Sequence, residues 1–236
     1  METFRAFSSL HAATLAAIFA LTAIAVVAAR RRGLPRAAGA TPVERAIGFA
    51  YLAAWVTTYT FLLFPPLHDP ARTYPFQLCH LAALAAALLL ITGWRPLQAI
   101  VYFWGLGLCT HALITPALGE GPALYPFWFF WSTHGLIVGV ALYDLLARGY
   151  RPTLRDFGLA CAAAAVYFAA VLPLNLAFGW NYGFVGPSRP EVKTIVDFLG
   201  PWPQRLALIV AIVALVMALL LAPWEVARRW KRSPDR

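Results

Sequence analysis

Long apolar runs, separated by short charged clusters, constrain the fold of this 236-residue chain more than any other feature. A helix needs about 20 mainly apolar residues to cross the hydrocarbon core of a bilayer. Only 12% of the residues are charged, whereas soluble globular domains have roughly 25%. The sequence therefore predicts an all-α, polytopic membrane protein, with residues 1–236 forming a single bundle of seven transmembrane helices. The predicted spans are 9–29, 44–64, 76–92, 96–116, 126–146, 154–178 and 203–223.

The basic residues predict the orientation of these spans. With the N-terminus outside, 14 of the 19 Lys and Arg residues fall in cytoplasmic segments, and this bias is what the positive-inside rule describes. We therefore expect an outer N-terminus, a cytoplasmic C-terminus and a multi-pass location in the cell membrane. The first span is interpreted as a retained anchor, because Arg30, Arg31 and Arg32 follow it and only Arg5 precedes it.

The net charge of +9 does not indicate a nucleic-acid-binding protein. The charges lie in short clusters between apolar runs instead of on one soluble face, and membrane topology accounts for that arrangement. Membrane lipids are the predicted partners and nucleic acid is not. The sequence carries no pattern that sets an oligomeric state.

The longest predicted outer connection, residues 179–203, contains a short amphipathic pattern. Ser188 to Glu191 resembles a capping box, and the apolar residues that follow are spaced at i, i+3, i+4 and i+7. This predicts a short outer interfacial helix over residues 190–199. Two interpretations remain open: the helix rests on lipid headgroups, or it forms a lid in which Phe198 and Trp202 hold acyl chains.

Polar residues of the predicted spans converge on one leaflet. Intramembrane polar groups tend to face the bundle interior and mark functional sites. With the predicted orientation, spans that run in opposite directions place their polar residues in the outer half of the membrane, which predicts an outward-facing polar pocket. These residues are Gln77, Cys79, His80, Cys109, His111, His134, Asn175 and, just beyond its span, Asn181.

A thiol and an imidazole in such a pocket indicate nucleophilic catalysis. Cys79 and His80 diverge by about 100° on a helix, so the partner of the thiol should come from another span. His134, roughly 12 Å below the outer surface, is the best placed by depth, and His111 is second. An imidazole beside a thiol yields a thiolate that attacks a carbonyl group. In an outer-leaflet cavity the acyl donor would be a phospholipid or lipoprotein ester, with Gln77, Asn175 or Asn181 as oxyanion donors.

Each of these residues also has a structural interpretation. A lone cysteine in an Ala/Leu helix is usually a small buried hydrophobe, and a disulfide between Cys79 and Cys109 is a second alternative. His111 fits a packing role. A haem or metal site built from His80, His111 and His134 lacks any ligand spacing, so we predict no metal and no cofactor. The alternative function is a non-enzymatic transporter or receptor-like bundle that binds a small polar ligand in the same pocket.

Six motifs, in this order, resemble the YwaF-like family of bacterial integral membrane proteins over about residues 75 to 203. They are QLCHLAAL (77–84), YFWGLGLCTHALITP (102–116), FWFFWSTHGLIV (127–138), GYRPT (149–153), NLAFGWNYGFV (175–185) and DFLGPWP (197–203). The family is similar to a eukaryotic transmembrane acyltransferase that remodels ether phospholipids with a Cys and a His.

This resemblance implies site roles for individual residues. Carried over by motif, the nucleophile falls on Cys79 and the general base on His134. Bacterial relatives often have a His two residues before the Cys, where this chain has Gln77, so His80 is the substitute base that the resemblance suggests. The remaining members of the hypothesis are His111 as a supporting or alternative base and a pocket lining of Asn175, Asn181, Trp180 and Tyr182.

Overall fold

The computed structural model describes residues 3–33, 39–65, 67–187 and 195–230, and within these ranges it contains helices and no strand. The prediction of an all-α fold is confirmed. The α-helices are α1 (Ser9–Arg31), α2 (Pro42–Leu62), α3 (Pro70–Thr73), α4 (Leu78–Thr92), α5 (Arg95–Ile100), α6 (His111–Ile114), α7 (Tyr125–Leu146), α8 (Leu154–Phe178) and α9 (Arg205–Trp230). A π-helix covers Val101–Cys109, and 3₁₀-helices cover Tyr182–Phe184 and Ile195–Leu199.

Five helical segments of the described chain are long and apolar enough to cross a membrane. They are Ser9–Arg31, Arg95–Ile114, Tyr125–Leu146, Leu154–Phe178 and Arg205–Trp230. α2 has 21 residues and α4 has 15, and neither belongs to this set of five. The chain is therefore a multi-pass membrane protein by the length and composition of its helices.

Local sequence signals explain where the helices begin and end. Thr41 and Thr153 each cap a helix with their hydroxyl group, and Glu44 and Asp156 complete the two capping boxes by accepting from the cap residue's backbone N–H. α4 ends at Gly93, whose φ of 66° lies in the left-handed region that glycine adopts without strain. The chain then turns at once into α5, so α4 and α5 are antiparallel neighbours.

Hydrogen bonds bring alternate helix ends together, which shows that seven helical rods alternate in direction. The rods are α1, α2, α4, the combined α5, π-helix and α6, α7, α8 and α9. One end, called here the basic end, contains the bonds Arg30 to Leu146 O, Arg148 to Glu44, Arg95 to Asp156 and Arg228 to Pro152 O. The other, called the aromatic end, contains the bonds His11 to Leu113 O, Tyr74 N to Tyr182, Tyr167 to Phe76 O and Arg205 to Gly186 O.

The core lies where α4, the π-helix and α7 meet. Ala82 and Ala83 of α4 are fully buried there against Phe103 and Ile137. Their small side chains let α4 approach its neighbours closely, which is the usual basis of helix association in membranes. One turn further along α4, a Cβ at Gly48 of α2 would lie only 2.7 Å from the backbone oxygen of Ala87.

The fourth rod is not the continuous α-helix that the sequence pattern predicts. It consists of α5, the nine-residue π-helix Val101–Cys109 and α6. The hydroxyl group of Thr110 donates to the backbone oxygen of Gly105 at 3.1 Å, five residues earlier. Hydrophobic periodicity does not reveal this wider winding, because the segment is apolar on every side.

The predicted interfacial helix at 190–199 is only partly described. Residues 188–194, which include the predicted capping box, lie outside the described ranges. Ile195–Leu199 forms a 3₁₀-helix, and within it Phe198 is exposed while Asp197 pairs with Arg205 at 2.6 Å. α9 then runs to Trp230, past the end of the apolar run at residue 223.

Candidate functional site

The start of α4 is held by an amide side chain. Gln77 precedes the first helical residue, and its Oε1 accepts a hydrogen bond of 2.9 Å from the backbone N–H of Gly183. Gln77 therefore ties α4 to the 3₁₀-helix Tyr182–Phe184. This bond fixes the position of Cys79, which lies in the first turn of α4.

Cys79 packs against the central core from a half-buried position. Tyr51 of α2 and Tyr167 of α8 pack against the same cluster, and both interact electrostatically with the thiol, as does Tyr59. All three cysteines are free, so the alternative of a disulfide between Cys79 and Cys109 does not occur. Phenol rings from two different helices thus pack against the same core cluster as the thiol.

His134 of α7 has a defined tautomer. Its Nδ1 lies 2.8 Å from the backbone oxygen of Phe130, and its ring is nearly buried against the Phe130 ring. A carbonyl oxygen only accepts hydrogen bonds, so Nδ1 must carry the proton. The neutral ring therefore presents an unprotonated Nε2, which is the form a general base requires.

His80 lies between Cys79 and the aromatic residues of α2. The edge of the Tyr59 ring meets its imidazole at 5.3 Å, and its Nδ1 is buried with no hydrogen-bond partner in the described part of the chain. His80 and His134 are close enough to interact electrostatically, and α4 and α7 pack directly against each other. Between Cys79 and His134 themselves, the described residues show no hydrogen bond.

The sequence interpretation missed the tyrosine stripe on α2. Tyr51, Trp55 and Tyr59 are spaced four residues apart and therefore share one face of the helix. Tyr51 OH lies 2.9 Å from Oγ1 of the buried Thr133, the residue next to His134. The i, i+4, i+8 spacing of aromatic residues was the available signal for this face.

The predicted lining residues of the pocket hold a loop in place. Asn175 is fully buried and uses both amide atoms on Tyr182, donating to its backbone oxygen at 2.8 Å and accepting from its backbone N–H at 2.9 Å. Asn181 Oδ1 accepts from Gly186 N at 3.0 Å. The Trp180 ring stacks on Phe178.

Tyr182 joins this loop to the segment before α4. Its hydroxyl group donates to Pro70 O at 2.7 Å and accepts from Tyr74 N at 3.1 Å. Its ring meets the Phe76 ring edge-on at 5.4 Å. Together with the bond from Gly183 to Gln77, these contacts place the loop over the first turn of α4.

His111, the remaining histidine of the predicted site, is less enclosed than His80 and His134. His111 is exposed at the start of α6, although it still interacts electrostatically with His134. No group of three or more His, Cys, Asp or Glu side chains in the described ranges is arranged to hold a metal ion.

The family profile of the TMEM164 family matches residues 6–221. The chain belongs to the TMEM164 family, a family of transmembrane proteins. The match includes α1 and α2, which lie outside the region that the six motifs cover. Searches of curated proteins and of solved structures give no match to the chain.

Proposed function

We propose that all seven rods of this TMEM164-family protein cross the cell membrane, with the N-terminus outside and the C-terminus in the cytoplasm. Two observations support this topology: the rods alternate in direction, and the basic end gathers Arg30, Arg95, Arg148 and Arg228. Basic residues accumulate on cytoplasmic ends. Alkaline phosphatase fused after Glu120 should then be active, and green fluorescent protein fused at the same site should stay dark.

We propose further that the protein transfers or hydrolyses acyl groups of membrane lipids, with Cys79 as the nucleophile and His134 as the general base. The observation that carries this proposal is the tautomer of His134, because the bond from Nδ1 to Phe130 O leaves Nε2 free to take a proton. The resemblance to YwaF-like bacterial proteins and to their acyltransferase relative implies the same pair of residues.

The proposed reaction has two steps. His134 Nε2 takes the thiol proton while the Cys79 sulfur attacks the ester carbonyl carbon of a phospholipid, and the carbon–oxygen bond to the glycerol breaks. The imidazolium returns its proton to the departing alkoxide, which leaves as a lysophospholipid. In the second step the thioester passes its acyl group to the hydroxyl of a lysolipid, or to water, and the thiol is regenerated.

Cys79 lies in the first turn of α4, at the N-terminal end of the helix dipole. Resting hydrogen bonds in catalytic sites are often long and tighten only with substrate. In the proposed reaction, binding of the lipid ester brings the Cys79 thiol and the His134 imidazole together.

The test is to trap the acyl-enzyme. Purified protein in lipid nanodiscs is incubated with a phospholipid that carries a labelled acyl chain, and label retained on the denatured protein is measured before and after hydroxylamine treatment. The expected result is hydroxylamine-sensitive label on the wild type and none on Cys79→Ala. Cys161→Ala is the matched control, since Cys161 lies on α8 against Met217 and should retain the label.

The variant His134→Gln tests the general base independently of the nucleophile. The amide keeps a donor for Phe130 O but cannot take a proton, so labelling should slow by about 100-fold or more while folding is retained. If Cys79→Ala retained as much label as the wild type, the proposal that Cys79 forms an acyl-enzyme would be wrong. It would instead favour the non-enzymatic bundle that binds a small polar ligand.

A further inference from the structure

A groove of about 550 Å³ lies on the membrane-facing side of the bundle between α1 and α2, and α7 forms its floor. Leu21 of α1 and Val43 and Ile47 of α2 line it and are exposed, so the groove opens sideways instead of toward either end. Gly135 and Gly139 of the floor have no side chains, which lets α1 lie close to α7. Its volume falls within the range of roughly 300–1,000 Å³ of ligand pockets in proteins.

The length and depth of the groove match one leaflet of a bilayer. Its lining runs along α1 from Ile18 to Arg32, which is about 21 Å at 1.5 Å per residue. Half of a bilayer, including the headgroups, has about the same thickness. The groove begins at the basic end and stops at Tyr51, near the middle of α2, and at Trp131, which lies in the half of α7 nearer the aromatic end. Its occupant is therefore in contact with the leaflet at the basic end.

The polar residues at the basic end of the groove leave one cation available. Glu44 lines the groove, but its oxygens already accept from Arg148 at 2.6 Å and 3.0 Å, from Tyr143 OH at 2.6 Å and from Thr41 N at 2.6 Å. Arg32 also lines the groove and has no acidic partner among the described residues. The walls of the groove are apolar, and the charge at its mouth that is available to a ligand is positive. These properties complement the acyl chains and the anionic headgroup of a diacyl lipid.

We propose that this groove binds one acyl chain of an anionic glycerophospholipid from the leaflet at the basic end, with the headgroup phosphate on the Arg32 guanidinium. The site is distinct from the one that contains Cys79. Tyr51 stands between them, lining the groove on one side and packing beside Cys79 on the other, with its hydroxyl group bonded to Thr133. The proposal does not depend on acyl transfer at Cys79.

A photolabelling experiment tests the acyl chain. The protein is reconstituted into phosphatidylcholine vesicles that contain a phosphatidylglycerol with a diazirine on one acyl chain, then irradiated, digested and mapped by mass spectrometry. Labelled peptides should come from residues 18–32 and 42–51. Ala25→Trp fills the groove from α1 and should lower this labelling at least about fivefold, while Ala23→Trp, an exposed position on the same helix outside the groove, should leave it unchanged.

A second pair of variants tests the headgroup. Wild type should be labelled about fivefold more by photoactivatable phosphatidylglycerol than by the phosphatidylcholine analogue, because each basic residue near the surface attracts anionic lipid. Arg32→Gln should remove most of this preference, and the neighbouring Arg31→Gln should keep it.

Two results would overturn the lipid site. One is equal labelling of Ala25→Trp and Ala23→Trp. The other is chemical cross-linking of two chains through α1 that Ala25→Trp abolishes, which would show that a second copy fills the groove. Size-exclusion profiles of all four variants in detergent confirm that loss of label is not loss of fold.

Discussion

The two ends of the bundle are held together by different chemistry. At the basic end, Arg148 donates to both carboxylate oxygens of Glu44, a residue 104 positions away, and both side chains are nearly buried. Burial alone would lower the pKa of Arg148, but its hydrogen bonds to Glu44 and the negative charge there raise it above its ordinary value. At the aromatic end, Asn175 and Tyr182 hold the loops through neutral hydrogen bonds to backbone groups, and one buried cation, Arg205, bonds to Asp197 and to Gly186 O.

The difference follows from what each end must join. The basic end fixes the termini of long helices, where a few charged side chains can reach across to the next helix and cap it. The aromatic end must fix irregular segments, whose backbone N–H and C=O groups have no helical partners and need amides and hydroxyls instead. Charged side chains therefore order the helices at one end. At the end that covers Cys79, mainly neutral side chains order the loops, together with the buried Arg205.

The strongest test of the charged end is Glu44→Gln. The amide preserves the size of the side chain and one acceptor, but it leaves the nearly buried Arg148 without its counter-charge. Breaking a buried ion pair in this way should lower the free energy of unfolding by about 3 kcal/mol, measured by equilibrium unfolding in mixed SDS micelles. Asp69→Asn is the control: it removes the charge from an exposed pair with Arg72 and should cost less than about 1 kcal/mol.

The corresponding test of the neutral end is Asn175→Ala. It removes the amide that accepts from the Tyr182 backbone N–H and donates to the Tyr182 backbone oxygen, which keeps only the bond from Val185 N, so the free energy of unfolding should fall by about 2–3 kcal/mol. The effect should be the same at low and high salt, because no ionic group is involved. A stability equal to that of the wild type would show that water can replace the amide in this loop.

A smaller change at the same end is Tyr182→Phe. It keeps the buried ring and removes only the hydroxyl group that bonds to Pro70 O and Tyr74 N. The ordered conformation of the loop before α4 should therefore be less stable by about 1–2 kcal/mol. The sensitive measurement is the rate of tryptic cleavage after the exposed Arg72, which should rise about fivefold or more. Tyr74→Phe, whose ring contacts are retained, should be cleaved like the wild type.

The smallest expected effect is that of Arg95→Gln. Arg95 pairs with Asp156 at 2.7 Å, but its side chain is 55% exposed, so solvent and salt screen the interaction. The loss should be under about 1 kcal/mol, and in 1 M salt the two proteins should become indistinguishable. If Arg95→Gln lowered the free energy of unfolding as much as Glu44→Gln, the contribution of an ion pair at this end would not depend on its burial.

The helical rods could largely be predicted from hydropathy, and their details could not. Apolar runs locate a helix because the bilayer demands a minimum length, and α7 and α8 follow the runs closely. The π-helix Val101–Cys109 was not predictable from hydropathy, because the segment is apolar on every side; within it, Gly105 and Gly107 pack closely against α7 and α9. The ion pair between Glu44 and Arg148 was also not predicted, since in the sequence each residue is simply a charged residue at the end of a predicted span.

For the candidate site, the sequence predicted which residues converge better than what they do. Depth placed Gln77, Asn175 and Asn181 at the same end of the bundle, as the structure has them. Their amide groups bond to backbone atoms of one loop, and a sequence does not show which of several polar partners an amide will select. The roles of Cys79 and His134 stay a prediction, supported by the tautomer of His134.

The π-helix gives this chain a place where its length can vary without changing its neighbours. A π-helix is a local excess of residues over an α-helix of equal rise, because its hydrogen bonds span five residues instead of four. A variant that lacked one residue between Val101 and Cys109 could span the same distance as α-helix, but every later side chain of that rod would then rotate. The side chain of Cys109 would point elsewhere while both loops kept their positions, so length in this segment tunes which residues reach the core.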